Sequence, residues 1–559
     1  MKTVIVGGVA GGASVATRLR RMDEHAEIVL LERGPYISFA NCGLPYYIGG
    51  IIAQRNALLV QTPEAMRAVF NIDARTGQDV LRIDRQAKTV VVQVESTGET
   101  YTESYDRLVL SPGATPLVPP LPGADLPGVF ALRDIPDMDA IKAFVDQQHP
   151  RRAVIVGGGF IGIELAENLR HRSLEVTVVE MMSQILAPLD YEMAVIVHQH
   201  LQSRGVCLVL GDGISAIESQ DEAMAVVLQS GRRLRADLVL LAIGVRPESE
   251  LAREAGLTLG MRGTIATNDY LQTSDLDIYA VGDAAQVSHL VTHKPTNIAL
   301  AGPASKQGRM VADHIVGKPV RYCGAQGTSI VKVFDLAAAS TGLNERQVEQ
   351  EGIEYQSATI HVANHAGYYP GAAQMALKLL FDSEEGKILG AQIVGKEGVD
   401  KRIDVIAVAM RAGMTVFDLE EVELAYAPPY GSVRDPVNVI GFVASNILRG
   451  DCKVLYWDAI KGLDAEKNLL LDVRDPAELR AGAIEGAVNI PLPQLRSRLN
   501  ELPRDQRIVV YCQTGQRAYY AYRILVQEGF DAVNLSGGYK TYSHAVGPQL
   551  EFEEGNDAG

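Results

Sequence analysis

The 559-residue sequence has few cysteines, fewer basic than acidic side chains and no long apolar run, and each shortage excludes a class of protein. Its five cysteines are scattered and form no disulfide framework, so a reducing cytoplasm is the expected compartment. The formal net charge of −16 argues against a nucleic-acid or anionic-membrane partner, because phosphates require a broad basic surface. No apolar run reaches transmembrane length, so we expect no membrane span.

What the sequence does contain is two copies of a pattern in which a strand, a glycine-rich turn, a helix and a second strand follow one another. The first copy starts "KTVIVGGVAGGASVATRLRRM" and ends at Glu32, and the second, "RAVIVGGGFIGIELAENLRHRSLEVTVVE", ends at Glu180. The second copy has the full G-x-G-x-x-G spacing, and in the first a valine takes the middle place: Gly157, Gly159 and Gly162 against Gly7, Val9 and Gly12.

This pattern predicts two dinucleotide-binding sites. Glycines let the backbone approach a pyrophosphate, and the N-terminus of the helix offers amide donors and the positive end of its dipole. Glu32 and Glu180 would accept hydrogen bonds from ribose hydroxyls, and an acid at Glu180 disfavours a 2′-phosphate and therefore favours NADH over NADPH. Close packing of helix on strand would explain one such turn equally well, but it does not explain the pair.

Further segments resemble the flavoprotein disulfide reductases that have two dinucleotide-binding domains. "YDRLVLSPGATP" and "ADLVLLAIGVRP" repeat one another, and "TSDLDIYAVGDAA" places Asp283 after a strand and a glycine. The resemblance implies that Asp283 holds the flavin ribitol, although a helix N-cap explains this residue alone equally well. It also implies the FAD-binding set Gly7, Val9, Ala10, Gly11, Gly12, Glu32, Arg33, Pro112, Gly113, Gly282 and Asp283, and the NADH-binding set Gly157, Gly159, Gly162, Glu180 and Gly244.

One cysteine lies close to the expected flavin site. Cys42 occurs in "SFANCGLPYYIGG", where a bend leads into a short helix, so we expect the helix N-terminus to lower the pKa of its thiol. Its neighbours resemble the single-cysteine branch of the family, which contains coenzyme A-disulfide reductases, persulfide reductases and NADH oxidases. The resemblance implies that the missing partner of Cys42 is a small-molecule thiol. For Cys207, Cys323 and Cys452 we expect a plain packing role.

Coenzyme A is the thiol that the resemblance implies. Arg18 and Arg21 lie on one face of the first helix and form a local anion site in an acidic protein, although a solvated helix end explains either arginine alone. Five positions match residues that hold coenzyme A in its disulfide reductases: Ser14, Arg18, Arg21, Ser38 and Asn41. "HAGYYPGA" and "YAPPYGS" resemble segments that reach the cysteine of the partner subunit, which implies an obligatory homodimer. Tyr368 and Tyr426 would then stabilise the departing thiolate and Arg434 would add a contact, although tyrosine–proline clusters also line plain interfaces.

The C-terminal part contains a second cysteine in a distinctive loop. In "YCQTGQR" a strand precedes Cys512, four residues separate it from Arg517, and a helix follows, so backbone amides should converge on the sulfur. This loop resembles that of rhodanese sulfurtransferases, as do "LLDVRDPAEL", "GAIEGAVNIPL" and "LSGGYKTY". The resemblance implies that Cys512 carries sulfane sulfur and that Cys512 and Arg517 are catalytic. The alternative is a regulatory domain with an idle cysteine.

The whole chain is therefore predicted to be an α/β protein with two Rossmann-like dinucleotide-binding domains, an α+β dimerisation domain and a C-terminal α/β rhodanese domain. The expected ranges are 1–149 with 262–322 for FAD, 150–261 for NADH, 323–446 for dimerisation, 447–453 for a linker, 454–548 for rhodanese and 549–559 for a tail. No third ligand accompanies His361 and His365, or His198 and His200, so we expect no metal site.

The resemblance implies an enzyme that uses NADH and FAD to reduce coenzyme A persulfide, polysulfide or coenzyme A disulfide, with coenzyme A as carrier or resolving thiol. Two alternatives remain at this point. One is an NADH oxidase or peroxidase that works through a Cys42 sulfenate. The other is a sulfur-relay or redox-sensor protein in which the rhodanese domain passes sulfur to another protein.

Overall fold

The computed structural model describes residues 1–220 and 223–547, which form two compact units. The first unit consists of Met1–Ser183 and Gly205–Gly327. The second consists of Gln184–Arg204 and the described residues from Thr328 onward. The expected tail at 549–559 and residue 548 of the expected rhodanese range lie outside the described residues.

The first unit contains two five-stranded parallel sheets of the kind that the repeated pattern predicts. The order in the first sheet is Ile278–Ala280, Arg107–Leu110, Lys2–Val6, Glu27–Glu32 and Asp73–Thr76. The order in the second is Val206–Leu210, Glu175–Glu180, Arg152–Val156, Leu238–Leu241 and Val129–Ala131. In each sheet the glycine turn follows the central strand, Lys2–Val6 or Arg152–Val156. The turn therefore lies at the carboxyl edge, where open α/β sheets bind ligands.

Helices and small antiparallel sheets complete the first unit. Its helices are Ala10–Met22, Leu44–Ile48, Pro63–Phe70, Ile135–Gln148, Phe160–His171, Glu250–Glu254 and Ala301–Ile315. Two three-stranded sheets are formed by Gln78–Asp84, Thr89–Val94 and Thr100–Ser104, and by Ile214–Gln220, Ala223–Leu228 and Arg233–Ala236. Short strand pairs join Ala114–Pro116 to Val245–Pro247 and Val287–Ser288 to Pro295–Thr296.

The second unit begins with a five-stranded antiparallel sheet. Its order is Ser329–Val333, Leu336–Gly342, Ile388–Gly395, Gln374–Asp382 and Tyr355–Ala363. Its helices are Tyr191–Ser203, Glu345–Glu351, Val399–Arg411, Val416–Glu421 and Pro436–Leu448.

Two of these helices differ from the expected domain ranges. We expected Tyr191–Ser203 in the NADH-binding range, but it packs in the second unit, where buried Lys378 binds Asp190 at 2.9 Å and Glu192 at 2.5 Å. The helix Pro436–Leu448 also continues through the first two residues of the expected linker.

A parallel five-stranded sheet forms the C-terminal part of the second unit. Its order is Val454–Leu455, Ala532–Leu535, Arg507–Tyr511, Asn468–Asp472 and Val488–Asn489, with helices Leu492–Leu495, Gln516–Gln527 and Gly538–Val546. This part covers the edge strand Tyr355–Ala363, whose amides would otherwise lie unpaired. The Ser357 amide donates to the Tyr456 hydroxyl at 3.1 Å, and the Thr359 amide donates to the Ser536 hydroxyl at 3.3 Å. None of the helices in the described ranges is long and apolar enough to span a membrane.

Candidate active site and cofactor sites

The first glycine turn has a backbone that only glycine can adopt. Gly7 has a φ of +95°, and a Cβ there would collide with the carbonyl oxygen of Ser111. A Cβ on Gly12 would collide with the carbonyl oxygen of Gly7. Val9 directly precedes the helix that starts at Ala10, so its side chain replaces the middle glycine without entering the tight turn.

A single carboxylate fixes the loop next to this turn. The Gly8 amide donates to Oε2 of Glu32 at 2.8 Å, and the Gly34 amide donates to Oε1 at 2.9 Å. Burial raises the pKa of Glu32. Arg33 forms an ion pair with Glu248 at 3.0 Å, so its charge is already partnered within the protein.

The second turn repeats these contacts at equivalent positions. Gly157 has a φ of +115°, and a Cβ on Gly162 would collide with the Gly157 carbonyl oxygen. Glu180 accepts the Gly158 amide at 2.8 Å and the Met182 amide at 2.9 Å. A Cβ on Gly159 would meet nothing within 4 Å, so the protein's own packing does not require this glycine. The space beside it fits a ligand that approaches the backbone, as a dinucleotide does.

Asp283 has the surroundings expected of a flavin contact. It lies in the short turn Gly282–Ala284, directly after a buried strand, and burial raises its pKa. The Gly282 amide donates to the Gln307 side chain at 2.7 Å, which fixes the turn. Its carboxylate makes no hydrogen bond or ion pair to residues 1–220 or 223–547 and is free to accept from a ribityl hydroxyl.

Three further expected cofactor residues lie in loops at the carboxyl edges of the two sheets. Pro112 and Gly113 follow the strand Arg107–Leu110, and Gly244 follows the strand Leu238–Leu241. The Leu117 amide donates to the Gly244 carbonyl oxygen at 2.9 Å, so the two loops are joined. Gly11 lies in the first turn of its helix, where a Cβ would crowd the Ser111 hydroxyl.

Cys42 lies at the centre of a short turn, Asn41–Gly43, and is exposed. We expected a lowered pKa, and this was wrong: the pKa of its thiol is raised. The main cause is that surrounding protein atoms remove part of its hydration, followed by the negative charges of Glu164 and Asp283. The helix that follows, Leu44–Ile48, has only five residues, so its dipole offers little compensation.

Glu164 and Tyr46 are candidate site residues that the sequence analysis missed. The Tyr46 hydroxyl donates to Oε1 of Glu164 at 3.2 Å, and burial together with the charge of Glu167 raises the pKa of Glu164 to about 7. Glu164 lies two residues after Gly162 in the second glycine motif. That position beside the motif was the signal available in the sequence.

The expected coenzyme A residues of the first unit differ in exposure and in the partners that they already have. Arg18 does not offer a free charge, since it binds Asp313 through Nε at 2.9 Å and Nη2 at 3.1 Å. Arg21 is exposed and forms no ion pair within the described ranges. The Ser14 hydroxyl donates to the Ala10 carbonyl oxygen at 2.7 Å. Asn41 is exposed beside Cys42, and Ser38 has a φ of +46°.

In the second unit the two expected tyrosines meet. The hydroxyls of Tyr368 and Tyr426 lie 3.1 Å apart, both side chains are exposed, and their hydrogen bond raises the pKa of Tyr426. Their loops are joined directly, because the Ala366 amide donates to the Gly431 carbonyl oxygen at 2.9 Å. The sequence placed these residues 58 positions apart, and the fold brings them together.

The Cys512 loop has the predicted strand–loop–helix order. Cys512 is only 1% exposed and follows the strand Arg507–Tyr511. Within the described chain, the amides of Gln513, Thr514 and Gly515 have no hydrogen-bond acceptor, so they can bind negative charge. Arg517 binds Glu478 through both terminal nitrogens, at 2.7 and 2.6 Å, and therefore closes one side of the loop.

A cavity of about 710 Å³ opens beside this loop. Thr514, Gly515, Gln516 and Tyr519 line this cavity. Residues of the helix Pro436–Leu448 and of the edge strand Tyr355–Ala363 also line it. Arg434 lines the same cavity, so a residue expected to contact coenzyme A lies in one cavity with the Cys512 loop.

The remaining cysteines and histidines have other surroundings. Cys452 is buried, Cys207 is partly buried and Cys323 is exposed. His361 bonds the Thr541 hydroxyl at 2.8 Å, and His198 accepts the Ile185 amide at 3.2 Å. In the described part of the chain, no three His, Cys, Asp or Glu side chains form a group that could hold a metal ion.

Three family models match successive parts of the chain. The model for pyridine nucleotide-disulphide oxidoreductases matches residues 1–308, which are more than half of the chain. The chain belongs to this family. The dimerisation-domain model of the same oxidoreductases matches residues 328–435, and the rhodanese-like domain model matches residues 458–545.

Relatives of this oxidoreductase cover it to different extents. A coenzyme A disulfide reductase of Staphylococcus haemolyticus is 36% identical over 452 residues, which are 80% of this chain and 100% of that protein. The crystal structure of reduced Bacillus anthracis CoADR-RHD is 51% identical, with a TM-score of 0.96 over 97% of this chain and 98% of that one. The NAD-dependent persulfide reductase of A. fulgidus is 38% identical, with a TM-score of 0.91 over 97% and 100%.

These matches confirm the expected family, fold class and enzyme class. The oxidoreductase has two nucleotide-binding halves, a dimerisation domain and a C-terminal rhodanese domain. Enzymes of the family use FAD and NAD(H), and the two carboxylate-fixed glycine turns of this chain fit two dinucleotides.

Proposed function

We propose that this oxidoreductase uses NADH and FAD to reduce coenzyme A disulfide, coenzyme A persulfide and polysulfide through the single cysteine Cys42. One observation carries the proposal. The segment that carries the exposed Cys42 meets the helix of the second glycine motif, where the Tyr46 hydroxyl donates to Glu164 at 3.2 Å. The charges of Glu164 and of Asp283, in the flavin-side turn, both act on the Cys42 thiol. A redox thiol near both nucleotide sites can accept electrons that enter at the NADH site and pass through the flavin site.

The sulfur chemistry at Cys42 needs no second cysteine of the chain. FAD would be held by the first glycine turn and by Asp283, and when bound it would supply the electron pair of NADH to the sulfur. The Cys42 thiolate attacks a disulfide or persulfide, displaces one thiolate or sulfide and keeps the other sulfur in a mixed disulfide. Two electrons and a proton then split this bond into the Cys42 thiolate and a free thiol. The balance is NADH, one proton and RSSR giving NAD⁺ and two RSH, or with RSSH giving RSH and H₂S.

Coenzyme A is the proposed carrier, either as part of the substrate or as the resolving thiol. Relatives named as coenzyme A disulfide reductases support this, because the match covers their whole length. The proposed binding residues are Ser14, Arg18, Arg21, Ser38, Asn41 and Arg434. For Arg18 this requires an anion to share the guanidinium with Asp313, whereas exposed Arg21 can bind phosphate directly.

Tyr368 and Tyr426 are proposed to donate hydrogen bonds to the departing thiolate. A hydrogen bond to developing negative charge assists departure even without proton transfer. The proposed site pairs these tyrosines with Cys42 of the partner subunit, so that turnover requires the homodimer. The dimerisation domain supports this assembly.

The rhodanese domain is proposed to load or transfer sulfane sulfur at Cys512, with Arg517 fixing its loop. The unpaired amides of Gln513, Thr514 and Gly515 support an anionic sulfur there. The proposed domain ranges are 1–149 with 262–322 for FAD, 150–261 for NADH apart from Gln184–Arg204, 323–446 for dimerisation and 454–548 for rhodanese. The proposed location is cytoplasmic.

An NADH oxidase function has one observation in its favour. The water-forming NADH oxidase of Lactobacillus brevis is 28% identical, with a TM-score of 0.77 over 81% of this chain and 99% of that one. That relative covers less of the chain than CoADR-RHD does and is less similar in sequence. The reductase function is therefore the better supported of the two.

NADH consumption by the FAD-loaded protein tests the proposal. The substrates are coenzyme A disulfide, coenzyme A persulfide, glutathione persulfide, polysulfide and oxygen, each with wild type, Cys42→Ser and Cys512→Ser. We expect Cys42→Ser to abolish all sulfur-dependent turnover. Cys512→Ser should spare disulfide reduction and impair only some sulfane donors.

Two results would reject this division of labour. Near-normal sulfur-dependent rates in Cys42→Ser would exclude Cys42 as the electron acceptor. Equal loss on every substrate in Cys512→Ser would exclude a separate sulfane role. Sulfur transfer from Cys512 to a protein acceptor, without NADH turnover, would favour the sulfur-relay alternative.

A further inference from the structure

Arg402 is a buried arginine that links the two tyrosine-bearing loops. It lies on the helix Val399–Arg411 and its side chain is 2% exposed. Nη2 donates to the carbonyl oxygen of Asn364 at 2.7 Å and to that of Tyr430 at 3.4 Å. Asn364 directly precedes the loop that carries Tyr368, and Tyr430 belongs to the loop that carries Tyr426.

Asp435 holds this guanidinium in place. Its carboxylate accepts from Nη2 at 2.9 Å and from Nε at 3.3 Å, and its side chain is 4% exposed. Asp435 is also the N-cap of the helix Pro436–Leu448, where it accepts the Val437 amide at 3.1 Å. The position of Arg402 is therefore fixed by the start of one helix and by its own place on another.

The loop ends around Arg402 are closed by further hydrogen bonds. The Ala373 amide donates to Oδ1 of Asn364 at 2.9 Å, and the Asn364 amide donates to the Ala373 carbonyl oxygen at 2.9 Å. These bonds close the loop that carries Tyr368 at its base. The exposed tyrosine hydroxyls meet at 3.1 Å, so the alignment of the two loop bases sets where they meet.

Stability alone is a weak explanation for this ion pair. Removing both charges from water costs several kcal/mol, and well-packed apolar residues often replace such pairs without loss. A guanidinium, however, offers several donors in a rigid plane and can bind one carboxylate and two carbonyl groups at once. Lysine keeps the charge but lacks this geometry.

We propose that Arg402, held by Asp435, is a positioning residue of the reductase site that aligns the hydroxyls of Tyr368 and Tyr426 by tying their two loops together. The proposal rests on the proposed function, in which these hydroxyls act on the departing thiolate. Arg402 itself touches neither substrate nor cofactor. It acts on the step in which thiolate departs and not on electron entry from NADH.

The test uses FAD-loaded Arg402→Lys and the milder Asp435→Asn, which keeps an N-capping side chain. We expect kcat for coenzyme A disulfide to fall about tenfold or more in Arg402→Lys, the scale on which misplaced groups act, with KM for NADH and the rate of flavin reduction by NADH unchanged. Asp435→Asn should show the same pattern with a smaller loss. The control is Arg474→Lys, which makes the same change at another buried arginine of the second unit, paired with Asp472 at 2.7 Å. It should leave the ratio of kcat for coenzyme A disulfide to the rate of flavin reduction by NADH unchanged.

A double-mutant cycle separates positioning from general structure. In a Tyr368→Phe, Tyr426→Phe background, Arg402→Lys should change kcat less than twofold, because the groups that it aligns are gone. A loss of kcat as large in the tyrosine background as in the wild-type background would overturn the proposal, and so would an equal effect of Arg474→Lys. If the tyrosine variants are as active as wild type while Cys42→Ser is inactive, the positioning role fails and the Cys42 function stands. If Cys42→Ser is active, the proposed function itself fails.

Discussion

At the residue scale, each nucleotide site is organised by one carboxylate that accepts two backbone amides. Glu32 binds the amides of Gly8 and Gly34, and Glu180 binds those of Gly158 and Met182. The sequence predicts an acid beside each turn, because turn and acid belong to one local strand–helix–strand unit with fixed spacing. It assigned both carboxylates to ribose hydroxyls, and their bonds to backbone amides became apparent only in the structure. Short local sequence patterns also identified Cys42, its glycine neighbours and the Cys512 loop.

Residues that act across the fold were not predictable in this way. Glu164 influences Cys42 although 122 positions separate them, which no local pattern shows. The raised pKa of Cys42 has the same origin, since its causes are neighbours from distant parts of the chain and not the short helix beside it. Arg402 was not predictable either, because besides Asp435 it binds two backbone carbonyl groups, which have no sequence signature.

Glu164 should control the ionisation of Cys42. Its pKa of about 7 means that its charge disappears below that pH, so it opposes the thiolate mainly above pH 7. We expect Glu164→Gln to lower the pH midpoint for alkylation of Cys42 and to remove the inflection near pH 7. The measurement is the rate of iodoacetamide labelling against pH, followed on the Cys42 peptide by mass spectrometry.

The control for this prediction is Glu175→Gln, which removes an exposed carboxylate of the strand that follows the helix of Glu164. It should leave the labelling profile unchanged. An unchanged or higher midpoint in Glu164→Gln would mean that this carboxylate does not act on the thiol.

At the scale of elements, the hydrophobic pattern predicted which segments form strands and helices. It did not predict against which other elements they pack. The helix Tyr191–Ser203 was expected with its neighbours in sequence, and it packs in the second unit instead. Its apolar face predicts burial without saying against which sheet. The charges that decide its place, Asp190 and Glu192 against Lys378, come from distant segments.

The junction between the rhodanese helix Gly538–Val546 and the edge strand Tyr355–Ala363 should weaken in acid. Burial lowers the pKa of His361 to about 3 and that of His544 to about 4, with Lys540 contributing to both. The unfolded histidines titrate near 6.5, so the folded state binds fewer protons below that pH. The stabilisation is complete above about pH 6.5 and is lost as the pH falls towards 4.

The only tryptophan of the chain reports on this junction. The ring of Trp457 lies 6.0 Å from that of Tyr191, within the second unit. We expect the thermal midpoint from Trp457 fluorescence to fall between pH 7.5 and pH 5, and to fall less in His361→Gln. His25→Gln, at an exposed histidine, is the matched control. An equal pH dependence in all three proteins would exclude the buried histidines as its cause.

At the scale of the whole molecule, the sequence predicted the kinds of domain in the order in which the family models match them, since each has its own motif. It did not predict how the C-terminal domain meets its neighbour. That contact depends on single hydroxyl groups, those of Tyr456 and Ser536, which satisfy the edge amides of Ser357 and Thr359. Such contacts have no periodicity, and only the assembled unit reveals them.

Assembly itself gives the most decisive prediction, because the proposed site takes Cys42 from one subunit and the tyrosines from the other. Two homodimers without a complete site, the inactive Cys42→Ser and the impaired Tyr368→Phe, Tyr426→Phe double variant, should complement one another when expressed together with different tags. The purified heterodimer has one site with an intact cysteine and intact tyrosines, and one site with neither. It should recover about half of the wild-type turnover with coenzyme A disulfide.

The control is a heterodimer of Cys42→Ser with Cys42→Ser, Tyr368→Phe, Tyr426→Phe, in which neither arrangement yields an intact site. If cysteine and tyrosines act within one chain, every site in the first heterodimer carries one defect, and its activity should equal the mean of the two parent homodimers. Recovery therefore requires the two subunits to share the site, and its absence would place Tyr368 and Tyr426 outside the chemistry at the partner's cysteine.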